Sequence, residues 1–321
     1  MDVRFYDLSF NLLYILPQLS SDKGYVSCVL TKEFCDNGSF ELTFCDEELE
    51  QMIINTDSPV LAKWNNQWAY VHSGNFESFT KKIIGTSLNG LLNRFVVTPR
   101  SWISTGISET VRQATTTNAV YDQFRWLNFD FSSFNSTKKV EYAIDEPMAY
   151  DEFLKDVLAY DGGGWELVAD ETNKTFTLKV YSRTDNGLLL SEKNKNIYNV
   201  QYSQNYKEKF NRGWYLSKST NEWNIIGDSS GIAQEDSICV LEATNITAAK
   251  KELAEKTGVR DIVADTQNLT YGKDYNVGDV IRLQYGGLTL TKFVKSVMMS
   301  LEDFYSETPE FAEIGGIKDG N

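Results

Sequence analysis

The sequence predicts an α+β fold: antiparallel β structure at both ends of the chain and helices in the middle. Three observations carry this. The first hundred residues contain two short turn signals, Asp36-Asn37-Gly38 and Asn65-Asn66, each flanked by strand-forming residues. Helical periodicity is concentrated between about Leu88 and Tyr160. The stretch Lys273–Leu283 reads as the end of one strand, a turn on Gly278-Asp279, and a further strand that continues past Gly286-Gly287 into Leu288–Val297, as in a small antiparallel barrel.

In chain order, Tyr25–Phe34 and Phe40–Cys45 form the first predicted hairpin, and Leu61–Trp64 and Trp68–His72 the second. Positive φ at the turn suits Asn and Gly. Phe79–Ile84 is a third strand. Leu88, Leu91, Leu92 and Phe95 then fall on one face of a helix that Pro99 stops. Ile107, Val111 and Ala114 mark a second, modest helix, and Phe124–Phe134 reads as extended. Pro147–Tyr160 is a helix with the stripe Tyr150, Phe153, Leu154, Val157 and Leu158, ended by Gly162. Trp165–Ala169 and Thr175–Tyr181 follow as a hairpin whose residues Phe176, Leu178 and Val180 alternate with polar ones. Beyond Leu188 strands return at Asn199–Asn205, Asn211–Leu216, Glu222–Ile226 and Ser237–Glu242. One helix, Thr247–Lys256, interrupts them. After about Leu301 the periodicity is lost, which predicts a loose acidic tail.

Composition narrows the function classes. The 321 residues are 41% apolar and 24% charged, an ordinary globular balance. Aromatic residues reach 13%, which suits sheet surfaces. With 31 basic and 45 acidic residues the net charge is −14, so binding to a phosphate backbone by counterion release is excluded. The N-terminal sequence lacks the pattern of a signal peptide, and the apolar run Asn11–Pro17 is too short to span a bilayer. Cys28, Cys35, Cys45 and Cys239 show no metal-ligand spacing and read as reduced packing residues of a cytosolic product.

Motifs with catalytic associations do not assemble a site. Gly227-Asp228-Ser229-Ser230-Gly231 matches a nucleophile elbow, but that chemistry needs a helix after Ser229 and a later histidine. The segment Ile232–Cys239 reads as turn and strand, and the single histidine, His72, comes earlier. Gly162-Gly163-Gly164 follows a helix instead of preceding one, so it is a helix stop and not a phosphate loop. Asp46-Glu47-Glu48 and Asp145-Glu146 lack calcium-loop spacing and read as solvated charge. Trp64, Trp68 and Tyr70 on the second hairpin are packing pairs or an interface patch, and Gly278 and Asp279 are turn residues. No cofactor or metal is expected.

Taken in order, several segments resemble the tail-tip and baseplate hub proteins of phage tails and related injection particles. They are Val26–Phe44 with its return Gly38–Leu42, then Ile83–Arg94, the helix–hairpin unit Tyr150–Tyr181, and Tyr275–Ile281. The resemblance implies two small antiparallel β-barrel, tube-forming domains with an inserted peripheral α/β unit. It places a first barrel at residues 1–100 and a peripheral domain at 101–187 with part of 221–271. A discontinuous second barrel falls at 188–300 and an acidic tail at 301–321. It further implies a non-enzymatic homotrimer that forms a pseudo-sixfold ring between a hexameric tube and a threefold spike or fibre. The implied partners are the tail tube or distal tail protein, the spike or fibre protein, the tape-measure protein, and DNA passing without specific binding. The implied location is a virion or tailocin-type particle assembled in the bacterial cytoplasm. The alternative is a β-rich receptor- or carbohydrate-binding module; a serine hydrolase at Ser229 is third.

Overall fold

The computed structural model describes residues 1–18, 24–77, 81–116, 121–218, 220–228, 231, 236–244, 246–302 and 304–314. Ser229, the only candidate nucleophile of the elbow pattern, lies outside the described residues. The fold is α+β and mostly β. The chain divides into two compact units. Unit 1 holds Met1–Leu188, Leu269–Val280 and Phe293–Glu310; unit 2 holds Leu189–Asn268, Ile281–Lys292 and Phe311–Asn321.

Unit 1 opens with β1 (Val3–Tyr6), β2 (Leu12–Leu16), β3 (Tyr25–Glu33) and β4 (Ser39–Phe44), then helix α1 (Glu47–Ile54) and strands β5 (Val60–Trp64), β6 (Gln67–Phe76) and β7 (Lys81–Ser87). The expected Asn65-Asn66 turn is present. Both residues have positive φ, at 47° and 60°, and Trp64 faces Gln67. The first hairpin differs from expectation. Thr31 pairs with Ser39 and Leu30 with Phe40, so the loop runs from Lys32 to Gly38 instead of turning tightly on Asn37-Gly38. Tertiary partners pull that loop open. Phe34 N–H donates to the Lys295 carbonyl at 2.7 Å, and the Asn37 side chain donates to Asp151 at 2.7 Å. The acidic run at Asp46 has a local purpose: its carboxylate accepts from Leu49 N–H at 2.9 Å and caps α1.

The stripe Leu88, Leu91, Leu92 is buried as predicted, but Leu88–Arg94 is a 3-10 helix. A Cβ on Gly90 would lie 2.0 Å from the Thr86 hydroxyl, so the turn is wedged against its own preceding strand. Strands β8 (Val96–Val97) and β9 (Arg100–Gly106) and helix α2 (Ile107–Ala114) follow. Next come β10 (Leu127–Ser133), β11 (Lys139–Ile144), β12 (Met148–Ala149), α3 (Tyr150–Ala159), β13 (Gly164–Asp170) and β14 (Thr175–Tyr181). Helix α3 starts at Tyr150 and not at Pro147, because Met148 and Ala149 pair with Val97 and Val96 first. Its stripe Tyr150, Phe153, Leu154, Val157 and Leu158 is fully buried. It joins Trp68, Leu91, Trp102, Trp165 and Leu178 in one core drawn from both the N-terminal strands and the helix–hairpin segment.

Strand β15 (Asp185–Ser191) leads into unit 2. There β16 (Ile197–Lys209) pairs antiparallel with β20 (Thr257–Thr266), a strand that periodicity alone does not reveal. Between them β17 (Arg212–Ser217), β18 (Glu222–Gly227) and β19 (Ile238–Val240) form a three-stranded sheet, and α4 (Ile246–Glu255) covers one of its faces through Ala249. The chain ends with β21 (Val280–Tyr285), β22 (Leu288–Leu301) and β23 (Tyr305–Glu313). Part of the expected loose tail is instead β23, paired with β22 and tied to it by Ser300–Ser306 at 2.7 Å and Lys295–Glu310 at 3.2 Å; the rest of it, 315–321, lies outside the described residues.

In unit 1 the main sheet runs β22–β3–β4–β7–β6–β5–β1–β2. It curls on itself: Trp64 on β5 donates to the Tyr25 hydroxyl on β3 at 3.4 Å, and Tyr25 donates to the Met1 carbonyl at 2.8 Å. A second sheet, β10–β14–β13, pairs β10 with β14 in parallel and β13 with β14 in antiparallel register.

Candidate functional site

The segment 271–279, singled out by Gly278-Asp279, closes a cavity of about 350 Å³ in unit 1. Lys32 from β3, Glu166 from β13, and Tyr271, Asn276, Gly278 and Asp279 from the segment line it. The residues expected to end a strand here, Lys273–Asn276, form a turn instead. A single bridge joins Tyr271 to Tyr275, and Gly272 N–H donates to the Tyr275 carbonyl at 2.9 Å. Asp274 and Asp279 occupy the donors of this loop themselves. Asp274 accepts from Thr270 N–H and Asp279 from Asn276 N–H, both at 2.8 Å, and such local bonding competes with a ladder.

Gly278 has φ +90°, and a Cβ there would come within 2.9 Å of the Phe34 ring and 3.0 Å of Tyr181. The turn is zipped to its surroundings. Gly278 N–H donates to the Val294 carbonyl at 2.8 Å, Val294 N–H to the Asp279 carbonyl at 2.9 Å, and Val280 N–H to the Thr184 carbonyl at 2.9 Å. Beside it, the Arg183 guanidinium packs against two touching rings, 4.8 Å from the Phe34 centroid and 4.1 Å from that of Phe293. Burial lowers the Arg183 pKa and raises that of Asp279, which hydrogen bonds from Asn276 and Asn186 only partly offset.

The chemical centre of the cavity is Lys32. Its ammonium pairs with Glu166, donates to Gln67 at 2.9 Å, and lies 5.8 Å from the Tyr271 ring centroid. Burial by itself would favour the neutral amine, but the Glu166 charge and hydrogen bond hold the pKa above its ordinary value. Burial pushes the Tyr271 hydroxyl up to about 12. Tyr271 N–H donates to Glu307 at 2.7 Å. Glu307 also accepts from Tyr305 at 2.6 Å, and Tyr305 accepts from Asn65 at 2.9 Å. A polar chain therefore runs from the second hairpin turn through β23 and the 271–279 segment to β3 and β13. The Lys32 ammonium is engaged on several sides, so the arrangement fastens strands together and does not present a free base.

The other singled-out residues lie elsewhere. Trp64, Trp68 and Tyr70 are buried at 1%, 8% and 7% exposure. Trp68 packs on Tyr6 at 5.2 Å and on Phe10 at 5.7 Å, and Trp64 on Tyr305 at 5.9 Å. His72 is exposed beside Tyr70, Asp145 and Glu146 are exposed, and all four cysteines are free. Among the described residues no group of three His, Cys, Asp or Glu is placed to hold a metal. Sequence reasoning missed Lys32, Glu166 and Tyr271, because nothing local marks a lysine on a strand as a buried one.

No protein-family model matches the sequence, and no curated protein matches it either. Solved structures do. The 43 kDa tail protein of prophage MuSo2 from Shewanella oneidensis superimposes with TM-score 0.60 at 13% identity, over 98% of each chain. The chain has the fold of a phage tail protein. A tail protein from Neisseria meningitidis MC58 gives TM-score 0.59 at 12% identity, over 98% of this chain and 97% of that one. A chain of the half-lidded Francisella PdpA-VgrG complex gives 0.54 at 8% identity, over 97% of this chain and 57% of that one. Gly278 and Asp279 lie in the tightly bonded turn that leads into β21.

Proposed function

We propose that the chain is a non-enzymatic structural subunit at the distal end of a phage tail or tail-like injection particle. The observation that carries this is the end-to-end likeness to tail proteins: the match spans 98% of both chains in the first case, so it takes in both units. In this reading the curled sheet of unit 1 and the strands β15, β16, β20 and β21 around unit 2 supply two small barrels to a homotrimeric, pseudo-sixfold ring. The ring joins a hexameric tube to a threefold spike or fibre, with the tape-measure protein and passing DNA as transient occupants. Two features support it. The strands are fastened by buried polar links and not arranged around an open reactive group. The net charge of −14 suits a wall along which nucleic acid slides without sticking.

Labelling of purified tail particles with an antibody to this chain, followed by cryo-electron microscopy, tests the proposal. The expected result is a ring of three copies at the end of the tube. Glycan binding by a monomeric chain, with no three-copy ring at the tube end, would instead establish the alternative, a receptor- or carbohydrate-binding module of a phage tip.

A further inference from the structure

A row of alternating charge crosses the cavity of unit 1. Register sets Asp130 on β10 beside Lys179 on β14, and Lys179 beside Glu166 on β13. The Glu166 carboxylate pairs in turn with Lys32 on β3. Phe176, Leu178 and Val180 give the other face of β14 to the core, so strand alternation turns Lys179 and Tyr181 toward the cavity. All of these charged groups line it, and every lining residue belongs to unit 1.

Two groups in this row are unspent. Lys32 and Glu166 satisfy each other, but among the described residues Lys179 takes no hydrogen bond and no ion pair with either flanking carboxylate. The Tyr181 hydroxyl likewise has no hydrogen-bond partner among the described residues. Its ring is held over two glycines: a Cβ on Gly164 would lie 2.7 Å from it, and one on Gly278 3.0 Å. Lys179, Ser133 and Asn276 are exposed, so the cavity opens to solvent on their side.

The alternation selects what can bind. A carboxylate or phosphate drawn to Lys179 comes to rest about one strand spacing, ~4.8 Å, from both Asp130 and Glu166. A cation drawn to either acid meets a lysine at a similar distance. Two lysines and four acids line the cavity, which weighs further against an anion. A hydroxyl avoids both penalties, because it accepts from Lys179 and donates its own proton to a flanking carboxylate. Adjacent hydroxyls repeat that exchange along the row. The volume of about 350 Å³ falls at the small end of ligand sites and suits one sugar ring with a few waters.

We infer that this cavity binds a neutral polyhydroxylated ligand the size of one saccharide unit, its hydroxyls bridging Lys179 to Asp130 and Glu166 and accepting from Tyr181. The site lies within one copy and goes beyond the structural role proposed above without resting on it. Ring formation at the tube end is read separately, so losing either conclusion leaves the other in place.

Saturation-transfer NMR titration of the full chain tests the inference. Glucose, galactose, mannose and N-acetylglucosamine are the neutral probes. Glucuronate and glucosamine present the same ring with a negative or a positive charge. At least one neutral sugar is expected to saturate with a Kd of about 1–10 mM, and both charged rings to bind about tenfold more weakly than the best neutral one. K179M and D130N are each expected to raise that Kd about tenfold with unchanged circular dichroism. Tyr181→Phe removes a single oxygen and is expected to raise it about threefold, which keeps the test decisive where a charge variant fails to fold. Three outcomes overturn the inference: no saturable signal from any neutral sugar up to about 100 mM, far above a millimolar Kd; tighter binding of glucuronate or glucosamine; or neutral-sugar affinity that K179M, D130N and Y181F leave unchanged.

Discussion

At the scale of single residues, the Lys32–Glu166 pair is asymmetric in its consequences. The Lys32 side chain is 15% exposed and that of Glu166 34%. Removing the carboxylate strands a cation in a site that burial already disfavours. Replacing the cation by an apolar side chain of similar length leaves a carboxylate that still reaches water. A fully buried charge left unpaired costs about 3–5 kcal/mol, and the partial exposure of this pair reduces that to about 1–3 kcal/mol for Glu166→Ala. Lys32→Met is expected within about 1 kcal/mol of wild type. Urea unfolding midpoints of the two variants measure the difference, and equal losses would mean that the pair acts only through its mutual attraction. The roles of Asp46 and Asp279 were partly open to sequence reasoning, since short acids before helices and in turns bond local N–H groups. The role of Lys32 was not, because burial of a strand lysine depends on which distant segment folds over it.

At the scale of elements, local chemistry and tertiary demand competed, and the outcome differed from hairpin to hairpin. Asn65-Asn66 needed nothing beyond its own positive φ, and the turn sits where the sequence placed it. Asn37-Gly38 offers the same signal, yet the strands stop earlier, because Phe34, Asn37 and Cys35 each bond to a residue more than a hundred positions away. The α3 stripe and the β13–β14 alternation were legible because their burial is set by one packed face. β23 was not legible. Its alternation is broken by polar residues that pair with β22 instead of packing into a core, as at Ser306 and Glu310. The closing turn joins both kinds of constraint. Gly278→Ala would place a side chain at φ +90° and at 2.9 Å from an aromatic ring held by Arg183. The expected loss is about 1–3 kcal/mol from backbone strain plus displacement of the ring. It should appear as a lower Tm with a concurrent change in near-ultraviolet circular dichroism, and an unchanged Tm would show that the turn yields without cost.

At the scale of the whole molecule, the units are interleaved along the chain. Residues 269–280 and 293–310 return to unit 1 after the chain has built most of unit 2, and β22 and β23 each contribute to both. Hydrophobic period reports local elements and carries no record of such a return, which is why the partition into units had to come from the structure. The interleaving bears on stability. Unit 1 contains a core that joins Tyr6, Trp68, Leu91, Trp102, Leu154, Trp165 and Leu178 across most of its sequence. The sheet and helix of unit 2 between Arg212 and Glu255 rest on Tyr215, Ile226, Leu241 and Ala249, with Cys239, Ala243 and Leu253 half-buried around them. A core of that size leaves little margin against conformational entropy. The same sheet has one face open to water. Amide hydrogen exchange on the monomer is therefore expected to open α4 and β17–β19 first, well before β3, β4 and α3. Calorimetry is expected to give a calorimetric enthalpy larger than the van't Hoff value, the mark of more than one cooperative step. A single two-state transition with uniform protection would mean that the strands shared between the units couple them fully.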